Sequence, residues 1–209
     1  MKVVIAPDSF KESVSAAEAA EAMRLGVVAS DPGATIDLCP MADGGEGTVA
    51  AMVAATAGSV RPANVTGPMG EPVEARFGLL GATGGCGQRT AAVIEMAAAS
   101  GLALVPPNRR NPMLASTVGT GQLILAALDA GAAEILIGIG GSATVDGGCG
   151  CAQALGVRFI DAAGRVISEP VNGRLLSTIC HVDLSRRDPR LAKAILRTAC
   201  DVTNPLTGP

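Results

Sequence analysis

The chain has 209 residues with a formal net charge of −3, 48% hydrophobic and 17% charged residues, 27 glycines, three Phe and neither Trp nor Tyr. That length can bury a substantial core as one large or two small domains, and this composition indicates a loop-punctuated α/β protein. Scarce aromatics and the lack of a basic stripe argue against nucleic acid, no apolar run approaches the ~18 residues of a membrane span, and no signal-peptide pattern opens the chain, so a cytoplasmic protein without a membrane partner is expected.

The first apolar run, VVIA (3–6), predicts a central parallel strand, followed by the polar loop PDSFKES (7–13). Ser15 and Glu18 have the spacing of a capping box, which opens an Ala-rich helix to about Ala29 that ends at DPG (31–33). TIDLC (35–39) alternates as a second strand. The glycine- and acid-bearing loop PMADGGEGT (40–48) then leads into a helix over 49–57, closed by Gly58. Polar loops at the C-terminal ends of neighbouring parallel strands are where open α/β sheets bind ligands, and Asp43 and Glu46 could hold a cation, accept a proton or favour the helix start.

Strands and turns are expected over 59–80, with GPMG (67–70) as a hairpin turn, and GATGGCGQ (81–88) reads as a linker. AAVIEM (91–96) is a buried strand ending in Glu95, a site residue or a buried paired acid. Arg109 and Arg110 lie in a Pro-rich loop and read, like Arg186 and Arg187, as solvated pairs. STVGTG (116–121) precedes a helix expected over 122–130; its hydroxyls suit phosphate or carboxylate binding and simple N-capping equally. A strand over 133–139 feeds GIGGSATVDGG (138–148), a tight glycine loop carrying Ser, Thr and Asp, and then a short helix. Such a loop can turn its amides toward an anion. VRFI (157–160) and RVI (165–167) predict a hairpin, further strands are expected over 179–184 and 195–200, and DVTNPLTGP (201–209) breaks off in mid-loop, as though the sequence were cut short.

The six cysteines (39, 86, 149, 151, 180, 200) lack C-x-x-C spacing and read mostly as small core residues; zinc on Cys149, Cys151 and His181 is not favoured. There is no P-loop, dinucleotide fingerprint or nucleophile elbow. Glycine loops with scattered carboxylates and an early lysine best fit phosphoryl transfer, which asks for amides and cations around phosphates and carboxylates for Mg²⁺ and for the accepting hydroxyl.

APDSFKES (6–13), MADGGEGT (41–48), IEMAAASGL (94–102), STVGTG (116–121), GIGGSATVDGG (138–148) and DVTNPL (201–206), in that order, resemble the bacterial type I glycerate kinases over nearly the whole chain. The resemblance implies ATP-dependent phosphorylation of D-glycerate at the 2-hydroxyl, with Mg²⁺, on a flavodoxin-like parallel-sheet domain carrying an inserted α/β domain and truncated here at its C-terminus. Residues 1–65 would begin the first domain, and 66–209 would hold the inserted one and the segment after it. Lys11 would meet the substrate carboxylate or the transferred phosphate, Asp43 would orient the hydroxyl, and Glu46 or Asp8 would serve the metal side. Ser9, Gly44, Gly45, Ser116, Thr117, Gly140, Gly141, Ser142 and Thr144 would bind substrate or phosphate. Asp146 would stand near Mg²⁺ or cap the following helix, and Asp201, Thr203 and Asn204 would complete the site. Val145 stands where the family has Asn. The chain matches the first half or so of a family member, so the alternatives are a non-catalytic anion-binding fragment and a kinase for another small hydroxy acid; a homo-oligomer is left open.

Overall fold

The computed structural model describes residues 1–10, 13–42, 44–81 and 90–200. Strands β1 (Lys2–Ile5) and β2 (Thr35–Leu38) pair in parallel, from Lys2 opposite Thr35 to Ile5 opposite Leu38. The crossover between them is helix α1 (Ala16–Ser30). Its capping box forms as expected: Glu18 N donates to Ser15 Oγ at 3.2 Å, and Ser15 N donates to Glu18 Oε2 at 2.9 Å. Ala16, Ala19 and Ala20 are the helix's buried residues, a small-residue stripe suited to a close approach.

After helix α2 (Thr48–Ala55), strands β3 (Ser59–Thr66) and β4 (Pro72–Leu79) form the expected hairpin, turned at 67–70. Strand β5 (Ala91–Glu95) follows, then helix α3 (Ala97–Ser100), helix α4 (Val118–Asp129) and strand β6 (Glu134–Gly138). Helix α5 (Cys149–Ala154), strands β7 (Arg158–Ile160) and β8 (His181–Asp183), and strand β9 (Ile195–Ala199) complete the described strands and α-helices. The main sheet has the order β3-β4-β5-β6-β9; the β3–β4 and β4–β5 pairs are antiparallel, whereas β5, β6 and β9 run parallel to one another.

Alternation along the strands assigns the two faces of this sheet. Phe77, Ile94 and Ile135 pack with Leu123, Ile124 and Ala127 of α4. On the other face, Val49 and Val53 of α2 and Val93 of β5 crowd around Gly78. Residues 91–94 of β5 are buried without interruption, as a strand covered on both faces requires.

Two expectations need correction. Helix α4 begins at Val118, four residues early, so the glycines of STVGTG lie inside it. Glycine costs a helix about 1 kcal/mol against alanine, but a Cβ at Gly119 would collide with the Thr66 carbonyl of β3, so only glycine lets this helix lie so close. In addition, β7 pairs antiparallel with the distant β8, and only an isolated bridge joins Ile160 to Val166. The buried Val157, Phe159 and Val171 draw Ile167 and Ile179 around one small core, which holds these segments together.

Candidate functional site

The parallel strands β5, β6 and β9 end side by side, with Glu95 opposite Gly138 and Gly138 opposite Ala199. Over these ends runs the loop that leaves β2. It is tied first to the small sheet, where Cys39 N donates to the Ile5 carbonyl and Met41 N to the Pro7 carbonyl. It then crosses to the large sheet. Gly44, buried and with φ near +91°, lies against Ala199, and Gly45 lies above Gly140. A side chain at Gly138 would strike the Gly44 carbonyl, so the roof and the strand end fit only without one. Beyond Gly45, Thr48 Oγ1 donates to the Gly45 carbonyl at 2.9 Å and starts α2.

Glu95 anchors this roof. Its Oε1 accepts from Val49 N at 2.8 Å, and its carboxylate also takes backbone N–H groups of Gly47 and Thr48, the first turn of α2. Burial nevertheless raises its pKa above the usual carboxylate value; the three amides pull it down, and the charge of Glu46 pushes it further up. Of the two readings of Glu95, the paired acid describes its bonds. Its role at a distance of 46 residues from Val49 had no local signal beyond an acid closing a buried strand. Glu46 and Asp8 are exposed, Asp8 Oδ1 accepts from Ser9 N at 2.6 Å, and Ser9 is half-buried. Lys11, Asp43, Asp201, Thr203 and Asn204 lie outside the described residues.

The 138–148 loop divides into two unlike halves. Gly140 sits under the roof, and Gly141 accepts at its carbonyl from Leu102 N at 2.9 Å. Ser142 Oγ accepts from Thr144 N at 3.0 Å and lies 2.9 Å from Thr144 Oγ1, a hydroxyl turn with both side chains half-buried. Asp146, in contrast, is 1% exposed. Its Oδ2 accepts from Thr117 N, Thr117 Oγ1 and Gly150 N at 2.8, 2.7 and 3.1 Å, and its Oδ1 accepts from Gly148 N at 3.0 Å. One carboxylate thus caps α4 and α5 together, which is the capping alternative drawn from the sequence. Thr117 Oγ1 also accepts from Cys151 N, and Ser116 Oγ donates to the Val171 carbonyl at 2.6 Å. Both hydroxyls are buried and engaged within the protein.

Two cavities flank this arrangement. One, of about 610 Å³, lies between α2 and the β6–β9 edge beneath the roof, lined by Met41, Gly44, Met52, Leu136 and Thr198 among others. The other, of about 190 Å³, is lined by Ser142, Ala143, Thr144 and Val145 and by the loop carrying Arg110 and Asn111. Arg110 is exposed, as expected, and its Nε also donates to the Val105 carbonyl at 3.2 Å, which holds it at the cavity.

The cysteines also depart from expectation. Cys39, Cys180 and Cys200 are exposed, because they stand at or beside strand ends rather than on core faces. Burial, with help from the charge of Asp146, pushes the Cys151 thiol up to about 12, so it stays protonated and inert. Among the described residues no group of three His, Cys, Asp or Glu could hold a metal ion. No helix among them is long and apolar enough to cross a membrane.

Comparison with known proteins bears on this architecture directly. The family model described as the glycerate kinase family matches residues 3–209. The chain is 56% identical to a glycerate kinase of Bacillus subtilis over its full length, covering 53% of that protein. It is 53% identical to the glycerate 2-kinase of Escherichia coli, covering 52% of it. The crystal structure of a protein from Salmonella typhimurium LT2 superposes with a TM-score of 0.85 at 53% identity, over all of this chain and 54% of that one. The chain spans about half the length of the relatives it matches.

Proposed function

The chain belongs to the glycerate kinase family, and we propose on that premise that the loops gathered at the ends of β5, β6 and β9 form part of an ATP-dependent D-glycerate kinase site that yields 2-phosphoglycerate. The observation that carries the reading is the glycine contact between the roof and the strand ends, Gly44 and Gly45 over Gly138 and Gly140, in a chain matched along its length by glycerate kinases. The same proposal includes the flavodoxin-like domain with an inserted α/β domain. Because β3 pairs with β4 across residues 65 and 66, and α2 packs on their sheet, the junction fits best between β2 and α2. A cytoplasmic setting belongs to the proposal as well.

The residues present fit ATP and Mg²⁺ by their donor chemistry. Mg²⁺ retains waters and uses one or two protein carboxylates together with substrate phosphates, and Glu46 and Asp8 are exposed carboxylates on adjacent loops. When bound, the metal–nucleotide pair supplies the γ-phosphoryl group and neutralises the charge developing on it. The chain's own residues do the rest. Amides of Gly140 and Gly141 face phosphate oxygens, Ser142 and Thr144 lend hydroxyls, and Lys11 meets the glycerate carboxylate or the transferred phosphate. Asp43 orients the accepting hydroxyl and takes its proton, and Asp201, Thr203 and Asn204 close the site. Glu95 and Asp146 act through others, holding the loops in place.

The test is D-glycerate-dependent release of ADP by the full-length protein. Asp43→Asn is expected to lower kcat by roughly 100-fold or more, and Lys11→Ala to do likewise. No activity in the parent would overturn the reading, and unchanged kcat in either variant would remove that residue from the chemistry.

A further inference from the structure

The smaller cavity joins two chemistries that the loops beneath the roof do not combine. Its walls are apolar: Met69, Leu102, Val105, Ala115, Ala143 and Val145. Its polar rim consists of Arg110, Asn111, Ser142 and Thr144, with no carboxylate. Arg110 uses only Nε on the Val105 carbonyl, which leaves both terminal amino groups of its fork without a partner among the described residues. Asn111 Oδ1 accepts from Met113 N at 3.2 Å, leaving its amide NH₂ similarly open. A guanidinium held by a backbone carbonyl and flanked by an amide and hydroxyls is a receptor for an anionic oxygen group. The apolar walls ask for something else, a body with carbon-rich faces.

Glycerate has no such body, since each of its carbons carries oxygen. A nucleotide has both parts. Whole drug-sized ligands need roughly 300–1,000 Å³, so a cavity of about 190 Å³ admits one ring system and leaves the charged tail outside. The route out is also given. Residues 142–145 line the cavity, and Gly140, two positions back, lies under Gly45 of the roof. A ligand whose base sits in the cavity can run its phosphates along this segment toward Glu46.

We propose, building on the kinase reading above, that this cavity seats the base of the donor nucleotide, and that Arg110 holds the phosphate chain as it leaves. Asn111 assists at the rim, and Val145 forms part of the wall against which the base lies. The polar side chain that the family resemblance led one to expect at 145 is then replaced by apolar contact with the ring.

Calorimetric titration of the full-length protein with ADP, adenosine and inorganic tripolyphosphate tests this without relying on turnover. Arg110→Ala is expected to weaken ADP and tripolyphosphate about tenfold or more, while adenosine stays within about twofold. Val145→Trp fills the cavity and is expected to weaken ADP and adenosine about tenfold or more, leaving tripolyphosphate unchanged. Arg110 is exposed and Val145 half-exposed, so both variants should melt with the parent. Parental ADP affinity in both variants, with D-glycerate still phosphorylated, overturns the assignment of this cavity and leaves the kinase reading standing. Loss of tripolyphosphate binding in Val145→Trp with adenosine unaffected overturns the base assignment too, since the cavity would then hold only an anion. Absence of D-glycerate-dependent ADP release in the parent strikes the kinase reading itself.

Discussion

Residues 116–121 and 138–145 look alike as text, each a short run of glycines and hydroxyls ahead of a helix, yet the structure uses them in opposite ways. The first lies in the protein interior. Ser116 and Thr117 give their hydroxyls to Val171 and Asp146, and Gly119 makes room for the carbonyl of Thr66. The second stays at the surface, where Ser142 and Thr144 bond to one another and line a cavity. Glycine beside a hydroxyl marks a close approach in both cases. What approaches is decided by whether the segment is buried, and that depends on elements far away in the chain.

This contrast can be broken by measurement. Asp146→Ala should have the largest effect, because it strands two helix starts and the Thr117 hydroxyl at once; a loss of about 3 kcal/mol or more is expected in urea unfolding. Gly119→Ala comes next, at about 1–3 kcal/mol, since its methyl meets backbone that cannot turn aside. Gly147→Ala meets nothing within 4 Å and suffers only from its φ of +61°, so it should cost about 1 kcal/mol.

Glu95→Gln gives a pH signature. The folded protein holds the Glu95 pKa above its ordinary value, chiefly through burial. The neutral acid is thus favoured by folding: its stabilising contribution is complete below the ordinary carboxylate pKa and is lost as pH rises through the folded value. The Tm difference between parent and Glu95→Gln should therefore move in the variant's favour across that interval and stay constant above it. Ser142→Ala is expected to have the smallest effect on stability, under about 1 kcal/mol, and to appear instead as a raised KM for ATP. A loss comparable to that of Asp146→Ala would erase the distinction between the two segments.

Features encoded within a few residues are legible in the amino-acid sequence itself. The Ser15–Glu18 box, the β1–α1–β2 crossover, the turn at 67–70 and the glycine loop after β6 each carry their cause in adjacent positions. The start of α4 is not legible there, because propensity opposes glycine in a helix and the reason for it, the Thr66 carbonyl, lies some 50 residues upstream by numbering. The partner of β7 escapes for the same reason: the nearer segment 165–167 offers a plausible hairpin, and the shared core around Phe159 favours β8. At the candidate site, the loops themselves can be read, but the Glu95 bond to Val49 and the place of Arg110 at a cavity are products of tertiary packing.

The fit of Gly138 beneath the carbonyl of Gly44 limits how such a protein can change over generations. Gly138 cannot acquire even a methyl group without lifting the roof from the strand ends, and lifting it pulls α2 away from Glu95, whereas Gly44 is held to glycine by its positive φ and by the nearby Ala199 carbonyl. Drift at the strand end is therefore closed off by a backbone carbonyl almost a hundred residues away, one that no change of side chain at position 44 can move, while drift at Gly44 is closed off by β9 and by its own backbone conformation.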